Sequence, residues 1–103
     1  MDRIEKIKEF LKNTPEDNFL QHALALEYIK IGNETEARNL FETILTRDPK
    51  YIGSYYHLAK LLERIGDTDG AIEWYEKGME MAKQAGEQHA LGELRSALEE
   101  LRY

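Results

Sequence analysis

Apolar residues recur along this chain at the spacing of α-helices. In two segments they stand at positions i, i+4 and i+7, which lie on one face of a helix. These positions are Leu24, Tyr28 and Ile31 in the first segment and Leu58, Leu62 and Ile65 in the second. We interpret each triplet as the core-facing stripe of an amphipathic helix.

A glycine follows each stripe and predicts where the helix ends. Gly32 and Gly66 come directly after the isoleucines, and glycine adopts the left-handed conformation of a helix C-terminus at little cost. Asn33 and Asp67 come next, and both residue types cap helix N-termini well. A second helix is therefore expected after each turn. Its stripe is Ala37, Leu40, Phe41, Ile44 and Leu45 in the first segment and Ala71, Tyr75 and Met79 in the second.

The two helix pairs form a repeat of 34 residues, which is also the separation of Pro15 and Pro49. Aligning 18–51 with 52–85 at this offset matches the glycines of the two turns and the alanines of the paired helices. Small residues at these positions let the backbones of paired helices approach closely. A shared period with matching turn and contact residues favours a repeat architecture over an irregular helical bundle.

This pattern resembles the tetratricopeptide repeat (TPR) family, whose repeat is 34 residues long. The residues at the family's pattern positions are Gln21, Leu24, Ala25, Tyr28, Gly32, Ala37, Phe41, Ile44 and Pro49, then Tyr55, Leu58, Ala59, Leu62, Gly66, Ala71, Tyr75, Gly78 and Lys83. In the second repeat, Leu62 and Lys83 replace the usual tyrosine and proline. Gln21 replaces the usual tryptophan and is expected to loosen the packing there. The resemblance implies an all-α fold, a right-handed TPR-like α-solenoid of antiparallel helix pairs with a C-terminal capping helix.

The register continues on the N-terminal side of the first full repeat. Ile7, Phe10 and Leu11 stand 34 residues before core positions of the second helix, which predicts a leading helix over 1–13 that packs on the first pair. Thr14 is the predicted N-cap of the next helix, with Pro15 in its first turn.

The predicted domain covers 1–103 and ends in a helix over 87–102. Between the leading helix and this last one, repeat 1 spans 15–49 and repeat 2 spans 50–83. The last helix carries a stripe of Leu91, Leu94, Leu98 and Leu101. We interpret it as the cap that covers the apolar end of the stack. A coiled-coil seam is the alternative for such a stripe.

Composition limits the classes of partner. The chain has 103 residues, of which 42% are hydrophobic and 33% charged, and its net charge is -6. This acidity disfavours binding to nucleic-acid phosphates. The sequence shows neither a signal peptide nor a membrane-spanning segment, so we expect a cytoplasmic protein without a membrane partner. Residues 63–103 carry ten acidic and five basic residues, which we interpret as a solvated surface.

The sequence offers no set of residues for catalysis, so we predict a protein that is not an enzyme and needs no cofactor or metal. Cysteine is absent, which excludes disulfides and thiolate ligands. The three histidines are His22, His57 and His89, and zinc needs three or four convergent ligands. The segment 66–70 superficially resembles a calcium loop but lacks the spacing and final glutamate of an EF-hand.

The resemblance implies a protein–protein interaction module, because TPR proteins generally bind peptide segments or partner helices on the surface formed by the first helix of each pair. The residues predicted to bind on this surface are Phe19, His22, Leu26, Ile29, Lys30, Tyr56, Lys60 and Glu63. The apolar and aromatic members of this set suggest an apolar or aromatic ligand segment. Alternatively, the leading helix or the capping helix covers some of these residues.

The sequence also bears on two specific partners, a chaperone C-terminus and a second copy of this chain. Some TPR proteins clamp the C-terminal carboxylate of heat-shock chaperones with lysine and asparagine side chains. Here the corresponding positions hold His22, Leu26 and His57, so this ligand is not expected. Self-association into a homodimer or scaffold element through the same surface is the alternative to a peptide partner.

Overall fold

The computed structural model describes residues 2–103, which form α-helices and the turns between them. The helices are α1 (Arg3–Asn13), α2 (Asn18–Lys30), α3 (Glu34–Arg47), α4 (Gly53–Arg64), α5 (Thr68–Ala85) and α6 (Gln88–Arg102). Within the described residues this confirms the predicted all-α layout of a leading helix, two helix pairs and a last helix.

The helices form two compact units. Unit 1 ends at Arg47 and contains α1, α2 and α3, whereas unit 2 spans Asp48–Tyr103 and contains α4, α5 and α6. In unit 1, α2 packs against both α1 and α3. Its buried apolar residues are Ile7, Leu24, Ala25, Tyr28, Ala37, Phe41, Ile44 and Leu45. Ala25 and Ala37 are fully buried, as their predicted role at a close helix contact requires.

In unit 2, α5 packs against both α4 and α6. The buried apolar residues are Tyr55, Leu58, Ala59, Leu61, Leu62, Ala71, Tyr75, Ala82, Leu91, Leu94, Ala97 and Leu98. Gly78 of α5 is also buried and lies against the ring of Tyr55. Three of the four stripe leucines of α6 are thus buried inside the unit, which supports the capping role over a coiled-coil seam.

The predicted glycine turns are present. Gly32 and Gly66 have φ angles of +79° and +88°. In each turn the N–H of the following residue donates to a carbonyl five residues back, from Asn33 to Tyr28 at 2.9 Å and from Asp67 to Leu62 at 2.9 Å. This is the hydrogen bond of a Schellman motif, which satisfies a carbonyl left free at the helix end.

Ile31, Ile65 and Phe10 were expected in the core, and this was wrong. Their exposed fractions are 65%, 45% and 62%. Ile31 and Ile65 are the C-cap residues of α2 and α4, so each helix stops where the stripe would have continued. Phe10 lies on α1, which packs in unit 1 chiefly on α2, and this single contact buries Ile7 but leaves Phe10 in solvent.

The predicted loosening at Gln21 was also wrong. Gln21 is buried, and its Nε2 donates to the carbonyl oxygen of Pro15 at 2.8 Å. Its Oε1 accepts from Nη2 of Arg47 at 2.9 Å. At the equivalent position of unit 2, the hydroxyl of Tyr55 donates to the carbonyl of Pro49 at 2.6 Å. Two different side chains therefore anchor the same kind of proline turn.

The N-cap of α2 is Asp17 rather than Thr14. The Asp17 carboxylate accepts from the N–H of Leu20 at 2.9 Å, and α2 begins at Asn18. Thr14 is instead the C-cap of α1, and its hydroxyl donates to the carbonyl of Phe10 at 3.3 Å. Aspartate at this position adds a negative charge at the positive end of the helix dipole, which threonine cannot do.

This assignment predicts unequal effects of two alanine substitutions. Asp17→Ala removes the N-cap of α2 and should lower the free energy of unfolding by about 1 kcal/mol. Thr14→Ala should cost clearly less, because the N-terminus of α2 keeps its cap. Urea unfolding followed by far-UV circular dichroism measures both. An equal or larger loss for Thr14→Ala would contradict the assignment of the cap.

Candidate functional site

A shallow groove lies between α4 and α6 of unit 2. It comprises two depressions of about 550 and 520 Å³ that share Tyr56 and Glu93. The residues lining them are Ile52, Gly53, Tyr56, His57, Lys60, Glu87, Gln88, His89, Ala90, Gly92, Glu93, Leu94, Ser96, Ala97 and Glu100. Several residues on the α6 side, Gly92, Ser96 and Ala97 among them, have small side chains and leave room there. We call this surface the α4–α6 groove.

Tyr56 is the aromatic residue of this groove. It is half-buried, and its ring packs edge-to-face against the rings of Tyr75 and His57, with centroid distances of 6.5 and 5.7 Å. The Nζ of Lys60 lies 5.7 Å from the Tyr56 ring centroid. These contacts hold the Tyr56 ring in place, and its remaining surface is available to a ligand.

Glu63 faces α5. Its carboxylate accepts a hydrogen bond from the hydroxyl of the fully buried Tyr75. Its Oε2 also lies 3.6 Å from Nζ of Lys60. Burial, followed by the bond to Glu63, raises the pKa of Tyr75 far above that of a free tyrosine. Glu63 is therefore already engaged within unit 2, whereas Tyr56 and Lys60 line the groove.

Two histidines lie at the groove in different environments. Burial lowers the pKa of His57, and the nearby charge of Glu93 opposes this only in part. His57 is therefore neutral at pH 7. His89 is 91% exposed, and its Nε2 lies 3.4 Å from Oε1 of Glu93.

The residues predicted on α2 lie in unit 1 and differ in exposure. Phe19 is 72% exposed, whereas His22, Leu26 and Ile29 are partly buried. The ring of His22 packs edge-to-face on Phe41 at a centroid distance of 5.5 Å. Phe19 is thus the apolar side chain of α2 that offers most of its surface to a partner.

The last predicted residue of α2, Lys30, belongs to a surface ion pair. Its Nζ lies 3.0 Å from Oε2 of Glu27, and Nε of Arg3 lies 3.1 Å from the same oxygen. The hydrogen bond from Lys30 is the main reason why the pKa of Glu27 lies below its usual value. A partner that binds Lys30 must therefore compete with Glu27.

The contribution of α6 to the groove was not predicted from the sequence. The charged and polar residues of α6 outside the leucine stripe were taken as solvated surface, yet Gln88, Glu93, Ser96 and Glu100 line the groove. Gly92 and Ser96 are four residues apart, opposite the stripe. Two small residues with this spacing were the signal that could have indicated a depression.

Residues 2–103 contain no cluster of three or more histidine, cysteine, aspartate or glutamate residues able to hold a metal ion. None of the helices formed by these residues is both long enough and apolar enough to cross a membrane.

Comparison with known proteins places this fold among helical repeat proteins. The sequence model of the tetratricopeptide repeat family matches residues 28–98. A TPR repeat-containing protein of Pseudomonas aeruginosa is 26% identical over 98 residues, which cover 95% of this chain and 93% of that protein. A tetratricopeptide repeat domain protein of Salinibacter ruber, solved by NMR, is 46% identical in sequence and superposes with a TM-score of 0.81. The match covers 84% of this chain and 88% of that protein chain.

A more distant similarity concerns the fold alone. The TPR2B domain of yeast Sti1, solved in a complex with pHsp70, has a TM-score of 0.88 but only 16% identity. The match covers 96% of this chain and 79% of that domain.

Proposed function

This chain belongs to the tetratricopeptide repeat (TPR) family, and we propose that it is a non-enzymatic module that binds a peptide or helical segment of a partner protein. Its predicted resemblance to the family is thereby confirmed. We assign the binding residues to the first helices of the two repeats. On α2 they are Phe19, His22, Leu26, Ile29 and Lys30, and on α4 they are Tyr56, Lys60 and Glu63.

The α4–α6 groove is the observation that carries this proposal. It presents part of an aromatic ring beside small side chains, and its lining follows α6 from Gln88 to Glu100. Such an extended lining suits a chain segment better than a compact small molecule. The exposed ring of Phe19 on α2 offers a separate apolar contact.

The ligand chemistry is expected to differ from that of chaperone-binding members. The Sti1 domain was solved with pHsp70, and some TPR proteins bind a C-terminal carboxylate through lysine and asparagine. His22, Leu26 and His57 cannot reproduce that set of cationic and amide donors. We therefore propose a partner other than the acidic C-terminus of a chaperone.

Selection from a phage-displayed library of random peptides tests the proposal. Selected peptides are titrated into isotope-labelled protein, and amide NMR shifts are followed. We expect shifts on α2, α4 and α6. Shifts confined to the second helices of the pairs, α3 and α5, would contradict the proposed surface.

A pair of phenylalanine variants provides the matched control. Phe19→Ala should weaken peptide binding about tenfold, because it removes the exposed ring assigned to the binding surface. Phe10→Ala removes a similarly exposed ring on α1, outside the proposed surface, and should leave the dissociation constant unchanged. Equal losses for both variants would argue against a specific role of Phe19.

Sedimentation at micromolar concentration separates this function from self-association. A peptide-binding monomer sediments as a monomer with or without Tyr56→Glu. A dimer that dissociates on Tyr56→Glu but not on Tyr103→Glu would favour the homodimer instead. Tyr103 is 98% exposed at the end of the chain, so it controls for the added charge.

A further inference from the structure

We propose that the α4–α6 groove binds an extended partner segment that carries two cationic side chains, lysine or arginine, three residues apart. This inference rests on the proposed function and adds the chemistry of the ligand. It follows from the charges that line the groove and from their spacing along α6.

The charges lining the groove are mostly negative. Three carboxylates line it, those of Glu87, Glu93 and Glu100, against the single ammonium of Lys60. The imidazole of His57 is neutral at pH 7 because burial lowers its pKa. An anionic segment would therefore be repelled here, and a cationic one attracted.

Lys60 does not cancel this negative character, because its charge is already balanced. Its Nζ lies 3.6 Å from Oε2 of Glu63. The same carboxylate accepts a hydrogen bond from the hydroxyl of Tyr75, which holds it near the C-terminal end of α4. The carboxylates of α6 are thus left to a ligand, apart from the contact of Glu93 with the exposed His89.

The spacing of the carboxylates indicates how far apart the cations should be. Glu93 and Glu100 are seven residues apart on α6, so they lie on one face and are separated by about 10 Å along the helix axis. An extended polyproline-type segment advances about 9 Å over three residues. Two cationic side chains at positions i and i+3 can therefore meet both carboxylates.

The floor of the groove suits the rest of such a segment. Ser96 and Ala97 lie on α6 between the two carboxylates in sequence, and Gly92 directly precedes Glu93. These small side chains leave space for a backbone. The half-buried ring of Tyr56 faces the same space. The aliphatic part of a lysine or arginine can pack on such a ring while its charged end reaches a carboxylate.

The probe is a fluorescein-labelled, proline-rich peptide with two lysines at positions i and i+3. Control peptides replace both lysines by glutamine or place them next to each other. Fluorescence anisotropy measures the dissociation constant at low salt, where exposed charges of the groove contribute most to the binding free energy because screening is weak. We expect the i, i+3 lysine peptide to bind more tightly than either control.

Protein variants assign the charge effect to the groove. The double variant Glu93→Gln with Glu100→Gln should weaken binding of the lysine peptide about fivefold or more. The matched control, Glu73→Gln with Glu99→Gln, removes the same charge from exposed positions that do not line the groove. It should change the dissociation constant less than about twofold, because exposed charges outside the groove are screened.

The inference and the proposed function fail in different ways. Equal binding of lysine and glutamine peptides, no binding of the lysine peptide, or equal losses in both double variants would overturn the inference. Library-selected peptides that shift α4 and α6 resonances without paired cations would also overturn it while leaving the proposed function intact. Failure of every selected peptide to shift α2, α4 and α6 would remove the proposed function itself.

Discussion

Gly78→Ala is expected to destabilise unit 2 by about 1–3 kcal/mol. A Cβ at this position of α5 would lie 2.7 Å from Cβ of Tyr55 and 3.1 Å from Cδ1 of Leu94. The Cβ of Tyr55 is fixed to the backbone of α4, so relief requires the two helices to separate. Alanine favours a helix over glycine by about 1 kcal/mol, which offsets only part of this cost.

Gly92→Ala is the matched control. Gly92 also lies inside a helix, α6, but a Cβ there would meet no atom within 4 Å. The same substitution should therefore stabilise the protein by about 0.5–1 kcal/mol. The single tryptophan, Trp74, lies 5.9 Å from Tyr55 between ring centroids, so its fluorescence reports urea unfolding of unit 2.

Opposite signs for the two glycine variants would show that close contact, rather than helix propensity, decides the outcome at position 78. Stabilisation by Gly78→Ala would contradict the tight packing of α5 between α4 and α6. In the repeat register, Gly78 occupies the place of Ile44. The register thus predicted a core position here, whereas only the structure showed the close approach to Tyr55.

The 34-residue period predicted the fold because it combined several independent constraints. Helix spacing, glycine turns and small contact residues recur together, and each is local enough to be recognised in the sequence. The wrong predictions concern residues that fit the apolar spacing but lie at the end of a helix or on a helix with little covering structure. Ile31 and Ile65 continue the i+7 pattern but are C-caps, and Phe10 matches the register without a second helix to cover it.

The binding surface was harder to predict than the core, because the role of a polar side chain depends on which residue of another helix it contacts. Tyr56 and Lys60 line the α4–α6 groove, yet the carboxylate of Glu63 turns to Tyr75. Contacts of this kind join residues on different helices, and no spacing rule within one helix indicates them. For the same reason, the part of α6 in the groove was missed.

Alkaline pH is expected to destabilise unit 2 through Tyr75. Burial and the bond to Glu63 raise the pKa of Tyr75 in the folded protein, whereas in the unfolded chain it is about 10. Above pH 10 the unfolded chain therefore loses a proton that the folded protein retains. Stability is fully present below pH 10 and should then fall by about 1.4 kcal/mol per pH unit from this group. Tyr55, whose pKa burial also raises, adds to the fall.

Tyr75→Phe separates the proton effect from packing, because it keeps the ring and removes only the hydroxyl. At pH 8 the variant should be less stable by about 1 kcal/mol, the usual value of one such hydrogen bond. Between pH 10 and 11, however, its stability should fall less steeply than that of the wild type. Tyr103→Phe, which changes an exposed residue, should follow the wild-type curve. Urea midpoints from Trp74 fluorescence at pH 8, 10 and 11 give the slopes, and an unchanged slope in Tyr75→Phe would mean that Tyr75 is not the group responsible.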